Sequence, residues 1–141
     1  MKINTNFFGE IEIDEKEIIT FEKGMIGFED IKKFALVGEA DLFVEWLQSV
    51  DEPTSFAVMD PFIADTEYSF DIPDKVLEEL NIKDKSEILI RTVVVIPEDI
   101  TKIRTNLQAP VIINTKEKKA MQILLDDTYP MRYEFYEKVG V

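Results

Sequence analysis

Carboxylates are the side chains whose spacing here comes nearest to acid/base or metal chemistry. Glu10, Glu12 and Asp14 recur at every second residue, the spacing that lines one face of a strand. On a strand with one wet face, such a row is simply the solvated side. The usual companions of catalysis are missing, because the 141-residue chain has no Cys and no His. That removes thiolate and imidazole metal ligands, the neutral-pH general base, and the Ser-His and Cys-His nucleophile pairs. There is no Gly-rich phosphate loop, G-x-S-x-G elbow, dinucleotide fingerprint or D-x-D-x-D-G calcium loop. The expectation is a protein with no catalytic site, no metal and no cofactor, which works by binding.

Polar residues set among apolar ones mark the places where binding would occur. Glu45 shares a strand face with Phe43 and Leu47, where a charge is costly unless paired. A rim glutamate at a barrel mouth is the favoured reading, and a charge kept for a partner is the alternative. Asn106 and Asn114 flank a strand start, where side-chain amides commonly cap loops by hydrogen bonding to the backbone. Residues 60–71 read as an acidic loop between two strands, carrying Asp65, Glu67 and Asp71 with the aromatics Phe62 and Tyr68. Whether those two rings are exposed or belong to the core is open from sequence. The candidate partner-binding set is therefore Glu45, Phe62, Asp65, Glu67, Tyr68, Asp71 and Asn106.

Charge suggests what kind of partner to expect. The net charge is -13, and residues 1–80 hold 20 acidic against 6 basic side chains, while residues 81–141 hold 9 against 10. The acidity thus lies in the N-terminal part. A field of that sign repels phosphate backbones and favours basic partners, although it also serves solubility. Direct nucleic-acid binding is not expected.

The elements that must position these residues are mostly strands. Lys2-Ile3-Asn4-Thr5, the turn Asn6-Phe7-Phe8-Gly9 and Glu10-Ile11-Glu12-Ile13-Asp14 form a hairpin pattern. Short strands are expected over 17–21, 34–37, 42–49, 55–59 and 68–72, with turns at 38–41 and 51–54. The only extended helical pattern opens at Pro73-Asp74, with Val76, Leu77 and Leu80 on its apolar side and Asn81 at its end. Residues 87–96 are the longest strand, β-branched and nearly continuously apolar, and so central. Further strands follow at 111–113, 120–125 and 132–136. With 45% hydrophobic residues and the length of one ordinary domain, residues 1–141 are expected to form a single mostly β domain. Its architecture is an antiparallel β-barrel-like fold with one short helix. Met1-Lys2-Ile3-Asn4 does not open a secretory signal, and the longest apolar run, Val93-Val94-Val95-Ile96, is far below a membrane span. A soluble cytoplasmic protein is expected, monomeric when free and without membrane contact.

The same segments resemble a known family. The run Phe21-Glu22-Lys23-Gly24-Met25-Ile26-Gly27-Phe28-Glu29, then Leu47-Gln48-Ser49, Asp60-Pro61, Val95-Ile96-Pro97, Asn106-Leu107-Gln108-Ala109-Pro110, Asn114 and Gln122 together resemble the flagellar assembly factor FliW. The likeness runs in order from the first hairpin to about Arg132. Between the two glycines, where the family commonly has Leu-Pro, this chain has Met25-Ile26. The resemblance implies a barrel-like β fold, no catalysis and two protein partners, flagellin and the RNA-binding translational repressor CsrA. In that scheme unsecreted flagellin holds the factor, and once flagellin is exported the freed factor binds the repressor and flagellin translation resumes. The acidic part of the chain fits a basic partner. A rival reading, a carbohydrate-binding or other ligand-binding small β protein, is weakened by the single Trp and by the lack of a carboxylate pair that the sequence can place across a cleft.

Overall fold

In the computed structural model, residues 1–6, 8–38 and 43–139 are described. Phe7 of the expected first turn, residues 39–41 of the expected second turn and Leu42 lie outside them, as do residues 140–141. The alternating opening folds as expected: Lys2–Thr5 (β1) and Gly9–Glu12 (β2) pair antiparallel, from Lys2 opposite Glu12 to Thr5 opposite Gly9.

The short β-branched runs then form a meander. Ile19–Thr20 (β3), Lys33–Val37 (β4), Val44–Ser49 (β5), Ser55–Met59 (β6) and Ile88–Val95 (β7) pair antiparallel in sequence. Arg104–Thr105 (β8) pairs with the far end of β7, Val111–Asn114 (β9) pairs with residues 88–91 of β7, and Lys119–Gln122 (β10) pairs with β9. Because β10 also meets β3, the pairing returns on itself through β3, β4, β5, β6, β7, β9 and β10. The fold is mostly β and barrel-like, but not a regular barrel. The β3–β10 contact is parallel and rests on one residue pair, Thr20 with Lys119. Tyr133–Glu134 (β11) adds an edge to β8.

Helices depart from expectation in number. Asp74–Glu79 follows Pro73 as foreseen, and Asn81 just beyond it has φ 55. Two single turns also occur, Pro61–Ala64 and Tyr136–Val139, so in chain order these are α1 (61–64), α2 (74–79) and α3 (136–139). The Asp60 carboxylate accepts the Phe62 N–H at 2.9 Å, and Pro61 suits a first helical position. Residues 68–72, expected as a strand, are not paired with any strand among the described residues. No helix among the described residues is long and apolar enough to cross a membrane.

The central core holds Phe21, Phe34, Leu47, Val58, Val111 and Ile113, with the rings of Phe21 and Phe34 edge to face at 5.1 Å. A second cluster packs Met59, Ala64, Val94, Ile103 and Phe135. A third is built from Val76, Leu80 and Ile112, with half-buried Phe70, Ile72, Ile88 and Ile90 against it.

Candidate protein-binding groove

The third cluster is only partly covered, and the uncovered part is a groove. Its position follows from how the chain leaves β6. The Asp60-capped turn of α1 sends Phe62 into solvent, 41% exposed. The chain then turns at Asp65, whose carboxylate accepts the Glu67 N–H at 3.0 Å, and comes back inward at Tyr68.

Tyr68 pins this return. It is 2% exposed, and its hydroxyl donates to the Leu107 carbonyl at 2.7 Å. Its ring packs against those of Tyr129, Phe70 and Phe62, with centroids 4.6, 5.4 and 5.7 Å away. The Tyr129 hydroxyl in turn accepts the Ser69 N–H at 3.0 Å. Burial, aided by the neighbouring Tyr129, pushes the Tyr68 phenol far above the usual tyrosine range. The fold therefore prefers neutral Tyr68, whereas the unfolded chain ionises near the ordinary value of 10.0. This contribution to stability should be intact below that pH and lost as pH rises above it. Tyr68→Phe should flatten the alkaline fall in stability and, at neutral pH, cost about 1 kcal/mol for the lost hydrogen bond. Unfolding followed from pH 7 to 11 checks both effects, and parallel curves for the two proteins would refute the first.

Beyond Tyr68 the burial alternates: Phe70 and Ile72 are half-buried while Ser69, Asp71 and Pro73 are exposed. Phe62, Phe70, Ile72, Leu77, Ile88 and Ile90 are the apolar lining of an open groove of about 500 Å³, and Asp71 and Lys85 supply its charges. Asp65, Glu67 and Asp74 stand in the same stretch, which holds no basic residue from 60 to 74. Within the described residues, none of these four acids, nor Lys85, makes an ion pair.

The structure divides the residues expected to bind partners. Phe62, Tyr68 and Asp71 line the groove, and Asp65 and Glu67 lie on the adjoining turn. Tyr68, however, is a buried anchor and not an exposed ring. Glu45 and Asn106 are not in the groove lining, and both have internal partners. The Glu45 carboxylate accepts from Arg91 Nε at 2.7 Å, with the two side chains 29% and 16% exposed, so the charge on the apolar face is paired. Asn106 Oδ1 accepts the N–H groups of Gln108 and Ala109 at 3.1 and 3.2 Å, holding the loop before β9. Sequence reasoning missed Phe70, Ile72, Leu77, Ile88 and Ile90 as a shared surface. Phe70 and Ile72 carry a signal in the period-two pattern of 68–72, whereas Leu77 lies on α2 and Ile88 and Ile90 on β7, where nothing local marks them as facing the same groove.

The comparisons point one way. The family model described as FliW protein matches residues 2–135. The flagellar assembly factor FliW of Caldicellulosiruptor saccharolyticus is 43% identical over 140 residues, covering 98% of this chain and 92% of that protein. Its namesake in Ruminiclostridium cellulolyticum is 39% identical over 143 residues, covering 99% and 97%. A crystal structure of the flagellar assembly factor FliW superposes with a TM-score of 0.90 at 31% identity, over 96% of each chain.

Proposed function

This chain belongs to the FliW family of flagellar assembly factors, and from that premise we propose that it regulates flagellar assembly without catalysis, by binding flagellin and the translational repressor CsrA. Binding to CsrA opposes that repressor and restores flagellin translation, while unsecreted flagellin keeps the factor occupied. The observation that carries the reading is an open apolar groove within an acidic stretch, Asp65, Glu67, Asp71 and Asp74, none of which makes an ion pair among the described residues. Apolar surface supplies affinity and unpaired charge supplies steering toward a basic protein.

Electrostatics also supports how the repressor would be opposed. A body of charge -13 docked beside a phosphate-binding surface repels RNA there. Each like-charge pair costs about 1 kcal/mol at 4 Å in water and several times more near a protein surface, so a few pairs give a tenfold loss. The coupling is reciprocal, so RNA on the repressor weakens this protein's binding by the same factor. The protein is cytoplasmic, monomeric when free of its partners, and makes no nucleic-acid contact of its own.

Mixing the purified protein separately with flagellin and with CsrA should give a complex in each case on size exclusion. The association rate with CsrA should fall as salt rises, because exposed charges are screened beyond about 8 Å at physiological ionic strength. Absence of both complexes would overturn the proposal, and a salt-independent rate would remove charge steering from it.

A further inference from the structure

We infer that the groove receives a strand-like peptide segment of a partner, added alongside residues 69–72, with alternate apolar side chains turned inward and basic side chains turned toward the acidic lip. The inference rests on the protein-binding reading above and specifies what the partner must present.

Three observations meet at this place. Residues 68–73 have the burial rhythm of a strand, with Tyr68, Phe70 and Ile72 turned in and Ser69, Asp71 and Pro73 turned out, yet they are paired with no strand among the described residues. The Ser69 N–H is taken by Tyr129, but the N–H groups of Phe70, Asp71 and Ile72 make no hydrogen bond to the described residues. A chain with strand spacing and free main-chain groups beside an apolar groove suits addition of a strand, where main-chain hydrogen bonds give affinity and alternate side-chain pockets give specificity. The facing wall offers Ile88 and Ile90 of β7, two residues apart, the period that an extended peptide presents on one side.

Charge then selects among peptides. Asp71 lines the groove, Asp65, Glu67 and Asp74 flank its lining residues in sequence, and none of the four makes an ion pair among the described residues, so basic side chains of the guest are favoured there. Lys85 on the facing wall disfavours a guest that is basic on both sides.

The test uses the whole protein, isotope-labelled, titrated with a synthetic octapeptide of alternating valine and lysine. Saturable shift changes should gather at residues 62–72 and 88–90. Methylating the peptide nitrogens that would bond to the lip, replacing lysine by glutamate, or clustering the valines should each weaken binding about tenfold or more. Phe62→Ser and Asp71→Lys change exposed side chains and should leave the free spectrum native while reducing affinity severalfold. The inference is overturned if no saturation is reached at millimolar peptide, if shifts scatter over the acidic surface, or if N-methylation has no effect, as a helical guest would allow. It is also overturned if dilution alone shifts the same residues, since the guest would then be a second copy of this chain. Flagellin and CsrA form a separate arm. Complexes that survive both substitutions unchanged keep the proposed function and reject the groove as its seat, whereas failure of both complexes rejects the function while the peptide result decides the groove.

Discussion

Replacing Gly24 by alanine should destabilise the protein by roughly 2–5 kcal/mol, the sum expected for left-handed strain and overpacking. Gly24 has φ +67, and a Cβ there would lie 2.5 Å from Glu29 Cα, 2.7 Å from its carbonyl oxygen and 2.8 Å from its carbonyl carbon. These are backbone atoms and cannot swing aside as a side chain could. The loop they belong to seats Met25 in the core at 1% exposure and places the Ile26 N–H against Gln122 Oε1 at 2.9 Å. Gly27 is the internal control. Its φ is +87 but nothing lies within 4 Å of an added Cβ, so Gly27→Ala should cost only about 1–2 kcal/mol. Denaturant unfolding of the two variants separates close approach from backbone strain. Equal losses would show that the Glu29 contact yields without penalty.

Asn114 should be at least as sensitive. It is fully buried, and its amide makes four hydrogen bonds to backbone. Nδ2 donates to the Leu80 carbonyl at 2.8 Å and the Asn81 carbonyl at 3.2 Å, while Oδ1 accepts the N–H groups of Lys116 and Glu117 at 2.9 and 3.0 Å. One side chain thus ties the end of α2 to the turn between β9 and β10. Asn114→Ala strands these groups and should cost roughly 3–5 kcal/mol, a large share of a typical domain's stability. Asn114→Asp keeps the shape but faces a carboxylate toward two carbonyl oxygens, and so should be at least as harmful at neutral pH and partly recover in acid, where protonation restores a donor. A loss below about 1 kcal/mol for the alanine variant would mean that water replaces the amide.

The sequence made local features legible and left distant pairings hidden. The first hairpin, the long apolar β7 and the Pro73 helix start were readable because their signals lie within one short window. Asp60-Pro61 carries a cap and a first-turn proline, yet α1 is only four residues long, too short to show a helical period. Tyr68 and Phe62 could not be told apart because what buries Tyr68 is remote: its hydroxyl partner is 39 residues away, and the tyrosine bonded to its neighbour Ser69 is 60 residues from that serine. Glu45 likewise finds Arg91 46 residues along the chain. The groove combines both difficulties, since seven of its lining residues come from 62–77 and three from 85–90.

The single-pair seam between β3 and β10 also sets an order of events during synthesis. Contacts around it join residues 96 to 101 positions apart, Ile26 with Gln122 and Glu17 with Lys118. Such long closures are slow to form and give nothing back until both ends are present. The loop containing Gly24 is made early, but the glutamine that holds it is synthesised 96 residues after Ile26. Until then, strands β3 to β7 have an open flank, and the Gly24 loop, early in sequence, is among the last segments to be fixed.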